Sequence, residues 1–200
     1  MAEISLFPLP VVLFPGGRLS LQIVETRYLD MVKQCMKDDV GFGIIMIREG
    51  NQLLKNAEEQ LPSVAHSGTY ATIVDFDQRD NGLLGIIVEG QARFAVRDQY
   101  ETSERLMMAD VEFLVTENKE TVPVEKSHLS EILASLLEHE AVEALRLNVD
   151  LDDASEVGGR LTELLPIPND LKQRLLEMRN PIARLEDLDK LIVKMQDQLQ

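Results

Sequence analysis

Apolar and polar residues change rhythm once along this chain. Up to about residue 116 the apolar positions come in short runs or alternate with polar ones; beyond it they recur every three or four residues. The first pattern is that of strands, the second that of helices. Ile4-Ser5-Leu6-Phe7 and Val11-Val12-Leu13-Phe14 are short runs broken by Pro8 and Pro10 and closed by Pro15-Gly16-Gly17. Proline donates nothing to a ladder, so this punctuation predicts two edge strands and a tight turn. Phe42 to Ile47 predicts a buried strand, and Thr69 to Phe76 one rich in β-branched residues. The latter runs into Arg79-Asp80-Asn81-Gly82, where Asn-Gly predicts a hairpin with both central residues at positive φ. Leu83 to Val88 then returns as its partner, and Phe94-Ala95-Val96 and Leu106 to Val115 complete about six strands, enough to curl into a small barrel. One helix interrupts this run: Tyr28, Met31, Val32, Cys35 and Met36 fall on one stripe. Glu25 lies near its start, where a carboxylate favours the helix dipole.

Glu117-Asn118-Lys119-Glu120 marks the change of rhythm, so residues 1–118 read as a β-rich subdomain and 119–200 as a helical bundle. Leu129, Ile132, Leu133, Leu136, Leu137 and Ala144 share one helical face. A second helix is expected over Ala154 to Leu165, closed by Pro166 and Pro168. Asn169 is placed to cap a third, carrying Leu171, Leu175 and Met178. Asn180-Pro181 opens a fourth, a cap followed by proline at the first helical position. Leu188, Leu191, Ile192, Met195 and Leu199 would line its buried side. The fold class is therefore α+β.

Composition narrows the function more than the fold. The chain is 44% hydrophobic with no Trp, which implies an aliphatic core and argues against disorder. Its single cysteine, Cys35, excludes an internal disulfide and a Cys-rich zinc site, and reads as a small buried apolar residue. The net charge of −15 is shared by both halves. Nucleic-acid binding needs a basic face to displace counterions, so no nucleic-acid partner is expected. The apolar stretch Leu6 to Phe14 is broken by prolines and preceded by no basic residue, unlike a signal peptide. Nothing approaches a membrane-spanning length, and a reducing, cytoplasmic location is expected.

Each catalytic or metal pattern fails on a particular residue. His139-Glu140-Ala141-Val142-Glu143 has Glu143 where the zinc-protease helix needs its second histidine. Asp75 to Gly82 resembles a calcium loop but puts Arg79 at a ligand position, and Asp150, Asp152 and Asp153 lack the glycine and distal Glu. No phosphate loop of the Gly-x-x-x-x-Gly-Lys type occurs, nor a Gly-x-Ser-x-Gly elbow, and Ser67 beside His66 is mere adjacency. No metal or cofactor is expected.

The order of several weak motifs is more specific than any one of them. Leu6-Phe7-Pro8-Leu9 and Leu13-Phe14-Pro15-Gly16 lead to Glu25-Thr26-Arg27-Tyr28. Phe42-Gly43, Gly68-Thr69-Tyr70-Ala71-Thr72-Ile73 and Gly90-Gln91-Ala92-Arg93-Phe94 follow, then Lys172 to Glu177 and Arg184-Leu185-Glu186-Asp187-Leu188. Over almost the whole chain this resembles the amino-terminal substrate-binding domain of Lon proteases. The resemblance implies a PUA-like six-stranded β pseudo-barrel with one inserted helix, followed by a helical bundle. It also implies recognition of unfolded or client polypeptides, as a module without the ATPase and Ser-Lys peptidase of full-length Lon, and hence not an enzyme. A protease or chaperone partner would fit an adaptor role in proteolysis.

Among the motif residues, Phe7, Phe14, Tyr28 and Phe94 are expected in the core, because a small barrel must fill its interior. Pro15 and Gly16 are expected to set a turn. Glu25, Arg27 and Arg93 could form a structural ion-pair set or line a groove. Client binding would need an apolar groove with an acidic rim, expected between barrel and bundle. The alternative is a small-ligand regulatory sensor using the barrel as its pocket. RNA binding, common among PUA-like folds, is opposed by the charge, and fold alone does not fix function.

Overall fold

The computed structural model describes residues 1–54 and 58–197, so Leu199, expected on the last helix, lies outside them. Two units divide the chain, Met1–Val115 and Thr116–Gln200. In the first, β1 (Ala2–Leu9), β2 (Arg18–Ile23), β3 (Phe42–Glu49), β4 (Ser63–Gln78), β5 (Leu84–Glu101) and β6 (Met107–Phe113) form one sheet. The order is β2-β5-β4-β3-β1-β6, and β6 pairs back onto β5. Five strands thus close into a ring with β2 flanking it on β5. Only β1 and β3 run parallel.

The early prolines do not mark edge strands. β1 lies inside the ring between β6 and β3. Pro8 is tolerated because β6 pairing ends at Leu6 opposite Met107, so at Pro8 the strand has only β3, through Ile45, as neighbour. Val11 to Phe14 is not a strand either, but irregular backbone whose Val12, Leu13 and Phe14 are buried. Flanking prolines deny it a ladder, and side-chain and turn hydrogen bonds replace one. Thr69 donates its hydroxyl to the Leu13 carbonyl at 2.6 Å, and the Pro15-Gly16 turn docks on Gly90 through Gly16 N–H to Gly90 O (2.8 Å) and Gly90 N–H to Gly17 O (2.9 Å). A Cβ on Gly90 would lie 2.3 Å from the Phe14 carbonyl oxygen, so this close approach requires glycine.

The alternation Leu19, Leu21, Ile23 makes β2, a strand hidden behind the turn signal before it. The separately expected strands at Leu83 to Val88 and Phe94 to Val96 are one, the long β5; its first half pairs β2 and its second half β6, while β4 follows both. Register shifts at Val74 and Arg97 insert an extra residue, which bends the strands as closure requires. At the hairpin tip only Gly82 has positive φ, and Asn81 does not. Arg79 N–H bonds to Leu83 O (2.9 Å) and Gly82 N–H to Arg79 O (2.8 Å), a longer turn than the two-residue one expected.

The inserted helix α1 (Thr26–Asp38) lays Tyr28, Met31, Val32 and Cys35 on a cluster with Phe7, Phe42, Ile44, Ile86 and Val88. Met36, expected on this stripe, is 40% exposed. Glu25 occupies the N-cap but makes no capping hydrogen bond; its carboxylate holds Arg27 instead.

In the second unit a single 3-10 turn (Val124–Lys126) leads into α2 (Ser127–Leu137) and the short α3 (Glu140–Glu143). α2 buries Leu129 and Leu133, whereas Ala144 lies past α3 and is exposed, because His139 starts a new helix by accepting a bond from Ala141 N–H. α4 (Ala154–Leu164) is capped by Asp153, whose Oδ1 accepts from Ser155 and Glu156 N–H at 2.8 and 3.1 Å. α5 (Asn169–Glu177) starts one residue before the expectation: Pro168 is its cap and Asn169 its first residue. α6 (Pro181–Asp197) opens as expected, with Asn180 Oδ1 accepting from Ala183 N–H at 2.9 Å. A buried ion pair braces this unit. Arg184, 1% exposed, forks onto both oxygens of Glu117 and also donates to the carbonyls of Leu175 (2.9 Å) and Met178 (2.7 Å).

Candidate functional site

The motif residues are distributed through the first unit's interior. Phe7, Phe14, Tyr28 and Phe94 are all at most 3% exposed, and the Phe7 and Tyr28 ring centroids lie 4.1 Å apart. Phe94 sits in a slot made by two glycines, since a Cβ at Gly43 or Gly68 would come within 2.9 Å of its ring. Pro15 and Gly16, the latter at φ 77°, form the turn against Gly90. Burial pushes the Tyr28 hydroxyl up to about 12, an effect that the neighbouring Arg27 charge partly offsets.

Arg27 is buried, and both of its terminal nitrogens are engaged while Nε finds no hydrogen-bond partner. Its Nη1 donates to the Arg105 carbonyl (2.8 Å), its Nη2 to Glu25 (3.1 Å) and the Gln52 carbonyl (3.3 Å), and its guanidinium carbon lies 4.5 Å from the Tyr28 ring centre. Glu25 and Arg27 border a shallow depression of about 400 Å³ with Val24, Leu54, Glu104 and Arg105, where charges of both signs are interleaved. Arg93 lies elsewhere, buried on β5 opposite Thr69, with its carbonyl accepting from Leu114 N–H at 2.8 Å.

A different place on this unit has the form of a binding site. A groove of about 530 Å³ runs between the C-terminal half of α1 and the neighbouring strands. Met31, Cys35, Val40 and Gly41 form one side, Ala2 to Ser5 of β1 with Met108 and Phe113 of β6 another, and Tyr70 and Leu106 complete it. Polar atoms in the lining are few: Glu3, Ser5 and Gln34 supply the polar side chains besides the Tyr70 hydroxyl. That hydroxyl accepts from Gly41 N–H, and the Tyr70 ring meets Phe113 edge-to-face at 5.5 Å. Val40 and Phe113 remain 47% and 43% exposed. Large apolar side chains held half open beside a concave surface are the usual mark of a site that buries a partner. Burial pushes the Cys35 thiol up, so it serves as an apolar wall.

None of the nine motif residues lines this groove. Val40, Tyr70 and the β6 pair Met108 and Phe113 come from three separate segments, and of these only Tyr70 falls within one of the ordered motifs. One signal was available: Phe113 continues the inward parity of Met107, Ala109 and Val111 past the point where the core ends. The groove lies wholly within the first unit.

A ring of five strands flanked by a sixth, with one inserted helix and a helical second unit, is a domain architecture of the Lon amino-terminal type. Residues 3–194 match the model of the ATP-dependent protease La (LON) substrate-binding domain, and the chain belongs to that family. The Lon protease of Cytophaga hutchinsonii is 28% identical over 186 residues, 87% of this chain and 22% of that protein. The Lon protease of Anaeromyxobacter dehalogenans is 23% identical over 189 residues, 88% of this chain and 21% of that protein. The chain thus spans about a fifth of the length of these curated relatives. The crystal structure of a Lon N-terminal domain protein from Xanthomonas campestris superposes with a TM-score of 0.74 at 30% identity, covering 94% of this chain and 97% of that one. The N-terminal domain of a Mycobacterium avium complex Lon protease shares the fold, with a TM-score of 0.60 at 16% identity over 94% of this chain and 96% of that one.

Proposed function

We propose that this chain is a recognition module that binds exposed apolar segments of unfolded client polypeptides, without cutting them or hydrolysing ATP itself. Its role would be that of an adaptor, delivering clients to a protease or chaperone. The observation that carries this reading is the groove between α1 and the strands, with Val40 and Phe113 half exposed at its edge and Met31 and Met108 in its wall. Membership of a substrate-binding family supports it. Methionine fits the task, because its flexible, polarisable side chain repacks against varied partners.

Ordering a disordered client offsets much of the apolar gain, so binding should be micromolar, roughly −8 kcal/mol. The test is a fluorescence-anisotropy titration with a reduced, permanently unfolded protein carrying little net charge. Saturable micromolar binding that survives added salt is the expected result. No binding at about 100 μM, well above the ~1 μM scale, would defeat the reading. Weight would then move to a small-ligand sensor using the same concave surface. Neither a nucleic acid nor a membrane is part of this proposal: the net charge is −15, and among the described residues no helix is long and apolar enough to cross a membrane.

A further inference from the structure

The rim of the groove carries a row of carboxylates. On β1, Glu3 pairs in register with Asp110 of β6, and Asp110 pairs in register with Asp98 of β5. Directly opposed residues share a face of the sheet, so three acids stand side by side across three neighbouring strands, all exposed. Like charges directly opposite one another destabilise a sheet. Nearby carboxylates are handled differently: Glu112 is paired with Arg97, and Glu101 with Arg105. Glu3, Asp98 and Asp110 have no ion-pair partner among the described residues. Glu3 accepts a hydrogen bond from the Tyr100 hydroxyl at 2.7 Å, and Asp98 one from Gln99 N–H at 2.9 Å. The Tyr100 phenol is held above its ordinary range, first by that bond to Glu3 and in smaller part by burial and by the charges of Glu3 and Asp110.

Glu3 itself lines the groove, and Ser5 and Met108, in the next register row with Tyr100, continue the lining from there. The uncompensated charge therefore borders the apolar surface.

We propose that this groove selects apolar polypeptide segments flanked by lysine or arginine, the apolar stretch lying in the groove and the cationic flank over the Glu3–Asp110–Asp98 row. The proposal rests on the client-binding reading above and adds a substrate class to it. Charge complementarity decides the occupant. A second copy of this chain would bring the same anionic row and a net charge of −15 against it. Anionic surfaces, whether nucleic acid or lipid, would be repelled by the same groups. Among the described residues no group of three His, Cys, Asp or Glu side chains is placed to hold a metal ion. The groove's 530 Å³ would hold about three benzene-sized groups at roughly 150 Å³ each, the bulk of a short apolar stretch.

The test uses the full chain and three fluorescein-labelled peptides sharing one apolar core, with flanks of lysine, serine or glutamate. At about 0.01 M salt the lysine-flanked peptide should bind about fivefold tighter than the serine-flanked one, and the glutamate-flanked one weaker still. At about 1 M salt the three should converge, because the charges are then screened over a few ångströms. The Asp98→Asn/Asp110→Asn variant should close most of the gap between lysine and serine flanks. Equal affinities for the three peptides at low salt would overturn this proposal while leaving client binding in place. A lysine preference undiminished in the variant would overturn its assignment to the row. If the double variant fails to fold, the single variants Asp98→Asn and Asp110→Asn, each at an exposed position, carry the same test, and each should close part of the gap. Failure of all three peptides to bind would overturn the client-binding reading, and this proposal with it.

Discussion

Replacing Arg184 by leucine should remove a large fraction of the stability of the helical unit. The guanidinium lies 1% exposed, its acid partner Glu117 has a side chain 7% exposed, and the two meet in a two-pronged contact. Removing one partner of a buried pair leaves the other charged and desolvated, at a cost of about 3–5 kcal/mol. Two carbonyls at the end of α5, those of Leu175 and Met178, lose their donor as well. Leucine cannot replace these bonds, so about 4 kcal/mol is expected against a total of roughly 5–15 kcal/mol. Glu117→Leu should cost a similar amount, because Arg184 then lies buried without its carboxylate and the Ser155 hydroxyl loses its acceptor. The double variant should cost markedly less than the sum of the two, since neither charge is then stranded. Arg184→Lys should fall between, keeping the charge but not the fork. The assay is urea unfolding followed by the helical signal in far-ultraviolet circular dichroism. Single substitutions costing below about 1 kcal/mol, or strict additivity of the pair, would refute the reasoning.

Three further outcomes follow from particular contacts. Gly68→Ala should cost about 1–3 kcal/mol by urea unfolding, because its Cβ would lie 2.3 Å from the Ile44 carbonyl oxygen and 2.9 Å from the Phe94 ring. Tyr28 is raised to about 12 in the folded chain, so between its unfolded value near 10 and that point the unfolded state alone loses the proton. Stability should therefore be intact below pH ~10 and fall by roughly 2–3 kcal/mol as the pH rises toward 12; denaturation across that window should show the fall, and Tyr28→Phe should flatten it. RNA should not bind at about 150 mM salt, and micromolar retention of tRNA in a filter assay would contradict the electrostatic argument.

The helices of the second unit were legible from their apolar spacing, and the start of the last one from Asn180-Pro181, whose asparagine side chain acts within three residues. Asp153 caps α4 over the same range but is not among the caps expected from the sequence. The first unit was legible as strands but not as a ring. Pro8 reads as an edge residue until its neighbour's length is known, for β6 stops pairing at Leu6 and leaves the proline a vacant side. Val11 to Phe14 has the residues of a strand, yet its backbone is held by Thr69 and Gly90, which are distant in sequence. Glu117 looked like part of a charged break and is instead the buried partner of an arginine far along the chain. The groove was least legible. It is assembled from α1, the strand beginning at Ala2, Tyr70 and the end of β6, so no window of sequence contains it. The ordered motifs identified the family mainly through residues that build the interior: Phe7, Phe14, Tyr28 and Phe94 are core, and none of them is part of the groove's lining.

The most direct test of the account places a charge in the groove and asks whether client binding is lost. Val40 is 47% exposed at the groove's edge, so Val40→Asp should leave the fold intact, which circular dichroism and urea unfolding would establish first. Anisotropy titration with the reduced, unfolded client should then show affinity at least tenfold weaker than that of the unmodified chain, a loss of about 1.4 kcal/mol. Unchanged micromolar affinity in a correctly folded Val40→Asp chain would contradict the account and place client binding on some other surface.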